Sequence, residues 1–159
     1  MRRRHINVLA HEKARAHAAV IPREERERLV REHREALDNL LAAGALAEQG
    51  WHRMAGLVGL VQALSEQGIG RGEQAAQVLH DATASLDWLW RRHEQMATWA
   101  MVAADREHVR EVCGWLIELY VVQINAASAS EYIRAHHKAI ARIQSAQAGN
   151  VPKGTEVIG

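Results

Sequence analysis

A chain of 159 residues has room for one domain with a real core, and 48% apolar against 25% charged residues excludes a disordered chain. A formal net charge of +1 excludes a strong whole-protein field for nucleic acid or for an acidic ligand. Cys113 is the only cysteine, which excludes an internal disulfide.

Ala, Leu, Glu, Gln and Arg dominate, and proline occurs only at Pro22 and Pro152, so the composition is helix-forming. There is no Phe. The five tryptophans at 51, 88, 90, 99 and 115 supply the large apolar volume, and each indole N–H needs a partner if buried. Charge is uneven: residues 1–35 hold ten Lys/Arg and six Asp/Glu, a balance of +4, leaving −3 for the rest.

The start, Met1-Arg2-Arg3-Arg4-His5, resembles a signal-peptide n-region. The apolar run after it, residues 6–10, is far too short, and His11-Glu12-Lys13 ends it. The expected location is therefore the cytoplasm, with no membrane span. Residues 5–20 read as a weakly helical, loosely packed arm with Ile6, Leu9, Ala10 and Ala14 on one side. Pro22 fits the first position of a second helix, with Glu24 and Glu25 near its positive end. Val30, His33, Leu37, Leu40 and Leu41 make its apolar stripe. Glu24 with Arg28, and Glu27 with Arg31, have i,i+4 spacing, and Gly44 is the expected stop.

The third helix is expected over residues 51–67, with Leu57, Val58, Leu60, Val61 and Leu64 covering more than one face. Ala55, Gly56, Gly59 and Ala63 are small enough to admit another backbone. Gly68 is a left-handed cap, with Ile69 folding back behind it. A fourth helix follows over residues 73–99, with Leu79, Ala82, Leu86, Leu89, Trp90, His93 and Met96 as its stripe.

Residues 105–127 carry the most apolar run of the chain, from Val112 to Val122, broken only by Glu118. A helix apolar on nearly every side needs neighbours all round, so it reads as the central helix, N-capped by Asp105. Ser128 with Glu131 has capping-box spacing and starts a last helix at Ala129, whose buried side is Tyr132, Ile133, His136, Ile140 and Ile143. Residues 149–159 read as a flexible tail.

Two stretches, Leu37-Asp38-Asn39-Leu40-Leu41-Ala42-Ala43-Gly44 and Gly50-Trp51-His52-Arg53-Met54-Ala55 continuing to Leu64-Ser65-Glu66-Gln67-Gly68-Ile69-Gly70, resemble small helical proteins encoded by proteobacterial phages, prophages and plasmids. The resemblance covers about a third of the chain and implies a genomic setting, with no site residues attached. In that setting small cytoplasmic helical proteins often bind and block a host complex, including CRISPR effectors.

The chemistry-bearing residues are sparse. Ten histidines invite a metal, yet there is no Glu-x-x-His, no histidine pair spaced by three or four and no cysteine cluster, so no metal and no cofactor is expected. Glu107, His108 and Glu111 have the spacing of a metal-ligating group, against the plainer reading of an ordinary solvated first turn. His33, His93 and His136 lie on the stripes of three helices, where convergence on a ligand competes with three separate core-edge histidines. Cys113 reads as core packing and Glu118 as the wet edge of its helix. Nothing supports nucleophilic or phosphoryl chemistry.

Trp88 lies off the main stripe beside Arg91 and Arg92, and Trp115 shares a side with Glu111 and Glu118. Trp beside Arg is the kind of group that anchors protein interfaces, against the plainer reading of a second covering layer. Arg2, Arg3 and Arg4 form a basic arm able to touch phosphate, against the plainer reading of a solvated terminus. The expectation is an all-α, single-domain bundle of about six helices over residues 1–148. It is non-enzymatic and probes its surroundings through Trp88, Arg91, Arg92 and Trp115, with a host protein complex or a second copy as partner. A nucleic-acid-associated regulator using Arg2–Arg4, and a metal-binding bundle, are the alternatives.

Overall fold

The computed structural model describes residues 19–70 and 72–149. They form five helices: α1 Arg23–Ala42, α2 Ala47–Glu66, α3 Gly72–Met96, α4 Ala103–Ala126 and α5 Ala129–Gly149. The class is all-α. Among the described residues the only extended pairing is one isolated antiparallel bridge, Val20 to Ser128. About six helices were expected. Residues 5–18 of the expected first helix, and 150–159 of the tail, lie outside the described residues, while Ala19 and Val20 are not helical.

The hub is α2 instead of the apolar α4. Helix α2 packs against each of the other four, whereas α4 packs mainly on α1, α2 and α3. The physical reason lies in the small residues of α2. A Cβ built on Gly50 would come within 2.4 Å of the Ala36 carbonyl oxygen, so α1 and α2 cross in near backbone contact there. Gly59 faces Ala139 of α5, where a Cβ would sit at 3.8 Å. Ala47 and Ala63 are fully buried. Small residues on several sides of α2 let several neighbours come close, which the long side chains of α4 do not.

Helix boundaries follow local chemistry, with some corrections. Pro22 is the residue before α1 and not its first turn; its carbonyl accepts from the Arg26 N–H at 3.0 Å. Helix α1 ends because Ala43, not Gly44, takes the left-handed conformation (φ 55°). The expected Glu24–Arg28 and Glu27–Arg31 pairs are replaced by Arg23–Glu27 at 2.9 Å and by Arg28 held between Glu25 and Glu32. Helix α2 begins at Ala47, a turn earlier than Trp51. Its end is as expected: Gly68 is left-handed (φ 81°), and the Ile69 N–H returns to the Leu64 carbonyl at 3.1 Å, burying Ile69.

Helix α3 stops at Met96, and Ala97 turns left-handed (φ 51°), so Trp99 is carried by the connection and is buried there. Met96, expected on the buried stripe, is 61% exposed. The extended Val102 precedes α4, so Asp105 is a first-turn acid facing the helix dipole and not the N-cap. The capping box at α5 is present in full: the Ser128 N–H donates to Glu131 at 2.9 Å and the Glu131 N–H to the Ser128 hydroxyl at 3.1 Å.

The expected buried side of α5 is turned largely outward. Ala135 and Ala139 are its buried residues, while Ile133, Ile140 and Ile143 are exposed and His136 faces solvent. Ala139 meets α2 at Gly59, and Glu66 clamps the pair from the rim through Lys138 and Arg142, both at 2.6 Å. Those two cations hold the Glu66 carboxyl well below its usual range, at about 2. A close approach of small residues leaves no room for the isoleucines to face the same way.

One core joins these elements. Tyr120, Leu40, Met54, Leu57, Leu64, Leu89 and Leu116 are its largest enclosed side chains. Gln123 is buried among them: its amide donates to Ser65 Oγ at 2.9 Å and to the Ile69 carbonyl at 3.0 Å, which ties α4 to the turn before α3. Helices α3 and α4 are therefore antiparallel neighbours.

Candidate functional site

Helix α4 has two apolar faces. Val109, Cys113, Leu116, Ile117, Tyr120 and Ile124 fill the inner one. The outer one carries Val112, Trp115, Leu119 and Val122, spaced three and four apart as a helix seam demands. Trp115 is 60% and Val122 54% exposed. Together with Gln74, Gln77, Val78 and Asp81 of α3 they line an open groove of about 700 Å³. Among the described residues charge on its walls has one sign: Asp81, Glu111 and Glu118 line it, and no Lys or Arg does. Glu118 pairs with Arg34 of α1 at 3.0 Å, and Asp81 accepts from the Gln77 amide at 2.8 Å.

Trp88 stands two turns beyond Asp81 on the same face of α3. It is 42% exposed, with the Arg92 guanidinium 5.4 Å from its ring centroid. Arg92 Nη1 is shielded and has no partner among the described residues, so its contact is the ring. Arg91 is exposed on the next position. Trp88, Arg92 and Trp115 thus belong to the α3–α4 side of the molecule, but only Trp115 lines the groove; Arg2, Arg3 and Arg4 lie outside the described residues.

A second hollow of about 490 Å³ lies between α1 and α4. Four arginines, Arg23, Arg26, Arg31 and Arg34, line it with three acids, so its balance is positive.

The three stripe histidines are not brought together. His33 meets the Tyr120 ring edge-on at 5.0 Å, His93 stacks on Trp99 at 4.1 Å, and His136 lies over Tyr132. Burial, with Arg53 nearby, pushes the His33 imidazole down to about 4, so it is neutral in the fold. Burial likewise raises the Tyr120 hydroxyl, which is hydrogen-bonded to Tyr132 at 3.0 Å, and lifts the Cys113 thiol to about 12. A fully buried thiol of that kind is packing, not a nucleophile. Trp51, Trp90 and Trp99 gather with His93 into one aromatic cluster, and the Trp51 indole donates to the Leu86 carbonyl at 2.9 Å. Among the described residues no group of three or more His, Cys, Asp or Glu is placed to hold a metal ion, and no helix is long and apolar enough to cross a membrane.

Sequence reasoning singles out Trp115 for this surface, but not Val122, and it gives Leu119 to the buried stripe and Asp81 only to the neighbourhood of Trp88. The spacing is in the sequence, but Val109, Val112, Cys113, Leu116, Leu119, Tyr120 and Ile124 read there as one inward stripe, whereas the structure puts Val112 and Leu119 on the outer seam with Trp115 and Val122. The outer seam was absorbed into the idea that α4 is covered all round. No protein-family model matches the chain, and neither a curated protein nor a solved structure is significantly similar to it.

Proposed function

We propose that the protein is a non-enzymatic helical binding module that acts through the α3–α4 side, with Trp115 as anchor and Trp88, Arg91 and Arg92 flanking it. The observation that carries this reading is the outer seam of α4, an indole and three aliphatic side chains in a groove whose charged residues, among the described ones, are acidic. Contiguous exposed apolar patches of this kind mark interaction sites far more often than scattered single residues do. Trp88 is half-exposed with the Arg92 guanidinium over its ring, and Trp and Arg are both residue types enriched where binding energy concentrates. The resemblance to phage- and plasmid-encoded helical proteins supplies the partner class: a host defence complex, such as a CRISPR effector, that the module blocks by occupying its surface.

The test pairs binding with self-association. Wild type, Trp115→Glu and Trp88→Ala are compared for binding to purified CRISPR effector complexes and by sedimentation velocity, with circular dichroism as the folding control. Loss of complex binding by folded Trp115→Glu supports the reading. Variants that bind and sediment as wild type does would remove the surface, and wild type that binds no effector would remove the partner class.

A further inference from the structure

We propose that the α3–α4 groove receives one amphipathic helix of a foreign protein, its apolar stripe on Trp115 and its flanking Lys and Arg side chains against Asp81 and Glu111. This rests on the binding reading above and names the chemistry of the partner. Shape selects a helix. Among the described residues both walls are helices, with backbone groups bonded internally. The groove therefore has no strand edge for an extended peptide, whose own backbone would be buried there unpaired. A helix satisfies its own backbone. Val112, Trp115, Leu119 and Val122 step along α4 by about 4.5–6 Å, the interval at which a helix presents side chains at i, i+4 and i+7. From Val122 to His108 the groove runs about 21 Å, or about four turns of a ligand helix.

Charge selects a basic helix. Asp81, Glu111 and Glu118 line the groove and, among the described residues, no Lys or Arg does. Glu118 is already paired with Arg34 at 3.0 Å. Asp81 has the neutral Gln77 amide at 2.8 Å, and neither Asp81 nor Glu111 is ion-paired among the described residues. These two carboxylates, on opposite walls and on either side of the exposed indole, are where a partner's cations gain most. Arg91 and Arg92 lie past the end of the groove, about three turns on from Asp81, and leave the sign within it unchanged.

A second copy fits the groove less well. Pairing the groove with itself about a two-fold axis at Trp115 sets the same carboxylates of both copies against each other. The exposed isoleucines of α5, Ile133, Ile140 and Ile143, form another unpartnered apolar helix face. Two of the three cations beside them, Lys138 and Arg142, are held by Glu66 at 2.6 Å, which leaves Arg134. Among the described residues, neither face supplies the pair of unengaged cations that Asp81 and Glu111 call for.

Fluorescence anisotropy of labelled synthetic peptides, titrated with the full chain, tests this without any effector complex. The probe is an Ala-rich helix of about 16 residues with Leu at i, i+4, i+7 and i+11 and Lys flanking that stripe; its control has Glu at every Lys position. The Lys peptide should bind at least about tenfold tighter than the Glu peptide, and raised salt should narrow the gap. Asp81→Asn combined with Glu111→Gln should weaken the Lys peptide by at least about fivefold. Trp115→Gln should abolish its binding, with circular dichroism unchanged in both variants. A Lys peptide that binds no tighter than the Glu peptide, or that binds Trp115→Gln as it binds wild type, overturns the proposal. So does sedimentation of the chain alone as a dimer that Trp115→Gln dissociates, which gives the groove to a second copy. Should the peptide test fail while folded Trp115→Glu still loses effector binding, the basic helix is wrong and the binding surface stands. Peptide binding as expected with no effector bound removes the partner class and keeps the basic helix.

Discussion

Gly50 is the position where one methyl group has the largest calculable effect. Gly50→Ala in the first turn of α2 should gain at most about 1 kcal/mol of helix propensity. Against this, the new Cβ would lie 2.4 Å from the Ala36 carbonyl oxygen and 3.0 Å from the Leu40 amide nitrogen. Both are backbone atoms of α1, so no rotamer change relieves the contact. An ordinary carbon–oxygen approach requires α1 and α2 to separate by about 1 Å. A gap of that size forfeits a quarter to a half of each dispersion contact across the interface, which includes the buried Leu37, Leu40 and Met54. With overpacking normally costing about 1–3 kcal/mol, and rigid backbone placing this case at or above the top, the net loss is about 2–3 kcal/mol. Gly56 on the same helix has nothing within 4 Å of its built Cβ, so Gly56→Ala should stabilise by about 1 kcal/mol. Urea unfolding should separate the two variants by about 3–4 kcal/mol with unchanged m-value, and Tm should fall by about 8 °C for one and rise by about 3 °C for the other. A Gly50→Ala protein as stable as wild type would show that the α1–α2 crossing is looser than described and refute the reasoning.

His33 makes stability pH-dependent in a defined window. Its folded value, about 4, lies below the ordinary 6.5, so the unfolded chain binds the extra proton. Its contribution is complete above about pH 6.5 and is lost as pH falls towards 4, at most about 3 kcal/mol and nearer 2 because the ring is only partly enclosed. A proton NMR titration showing His33 protonating at pH 6 or above would contradict this. Gln123→Leu keeps volume but removes the donor to Ser65 and Ile69, and should cost about 1–3 kcal/mol, with faster exchange in residues 67–70. Ser128→Ala breaks half of the capping box and should cost about 1 kcal/mol by urea unfolding, with no change in the groove.

Helix class, the cap at Gly68 and the capping box at Ser128 were legible because each is a local rule: a left-handed glycine followed by an apolar residue, or a hydroxyl three residues before a carboxylate. Which helix is central was not. Apolar content pointed to α4, but centrality depends on how many neighbours can come close, and that is set by Gly50, Gly59, Ala47 and Ala63 of α2. The α5 stripe failed for the same reason. Periodicity marked Ile133, Ile140 and Ile143 as one face, and nothing in periodicity says that Ala135 and Ala139 will be buried instead, with Ala139 against Gly59. The groove was half legible. Trp115 stood out beside Glu111 and Glu118, while its α3 wall depends on a pairing that only three dimensions provide.

The outer seam of α4 is the part of the sequence that the fold does not demand. Trp115 and Val122 are more than half exposed, and Trp and Val are poorer helix formers than Ala, Glu or Lys. A helix needing only its inner face buried would hold better with Lys or Gln outside. Trp115→Gln therefore separates fold from function. With the indole removed from an exposed position, global unfolding should shift by no more than about 0.5 kcal/mol. The same variant should lose partner binding. A loss of several kcal/mol instead would make Trp115 a member of the core, and the binding surface would lose its anchor.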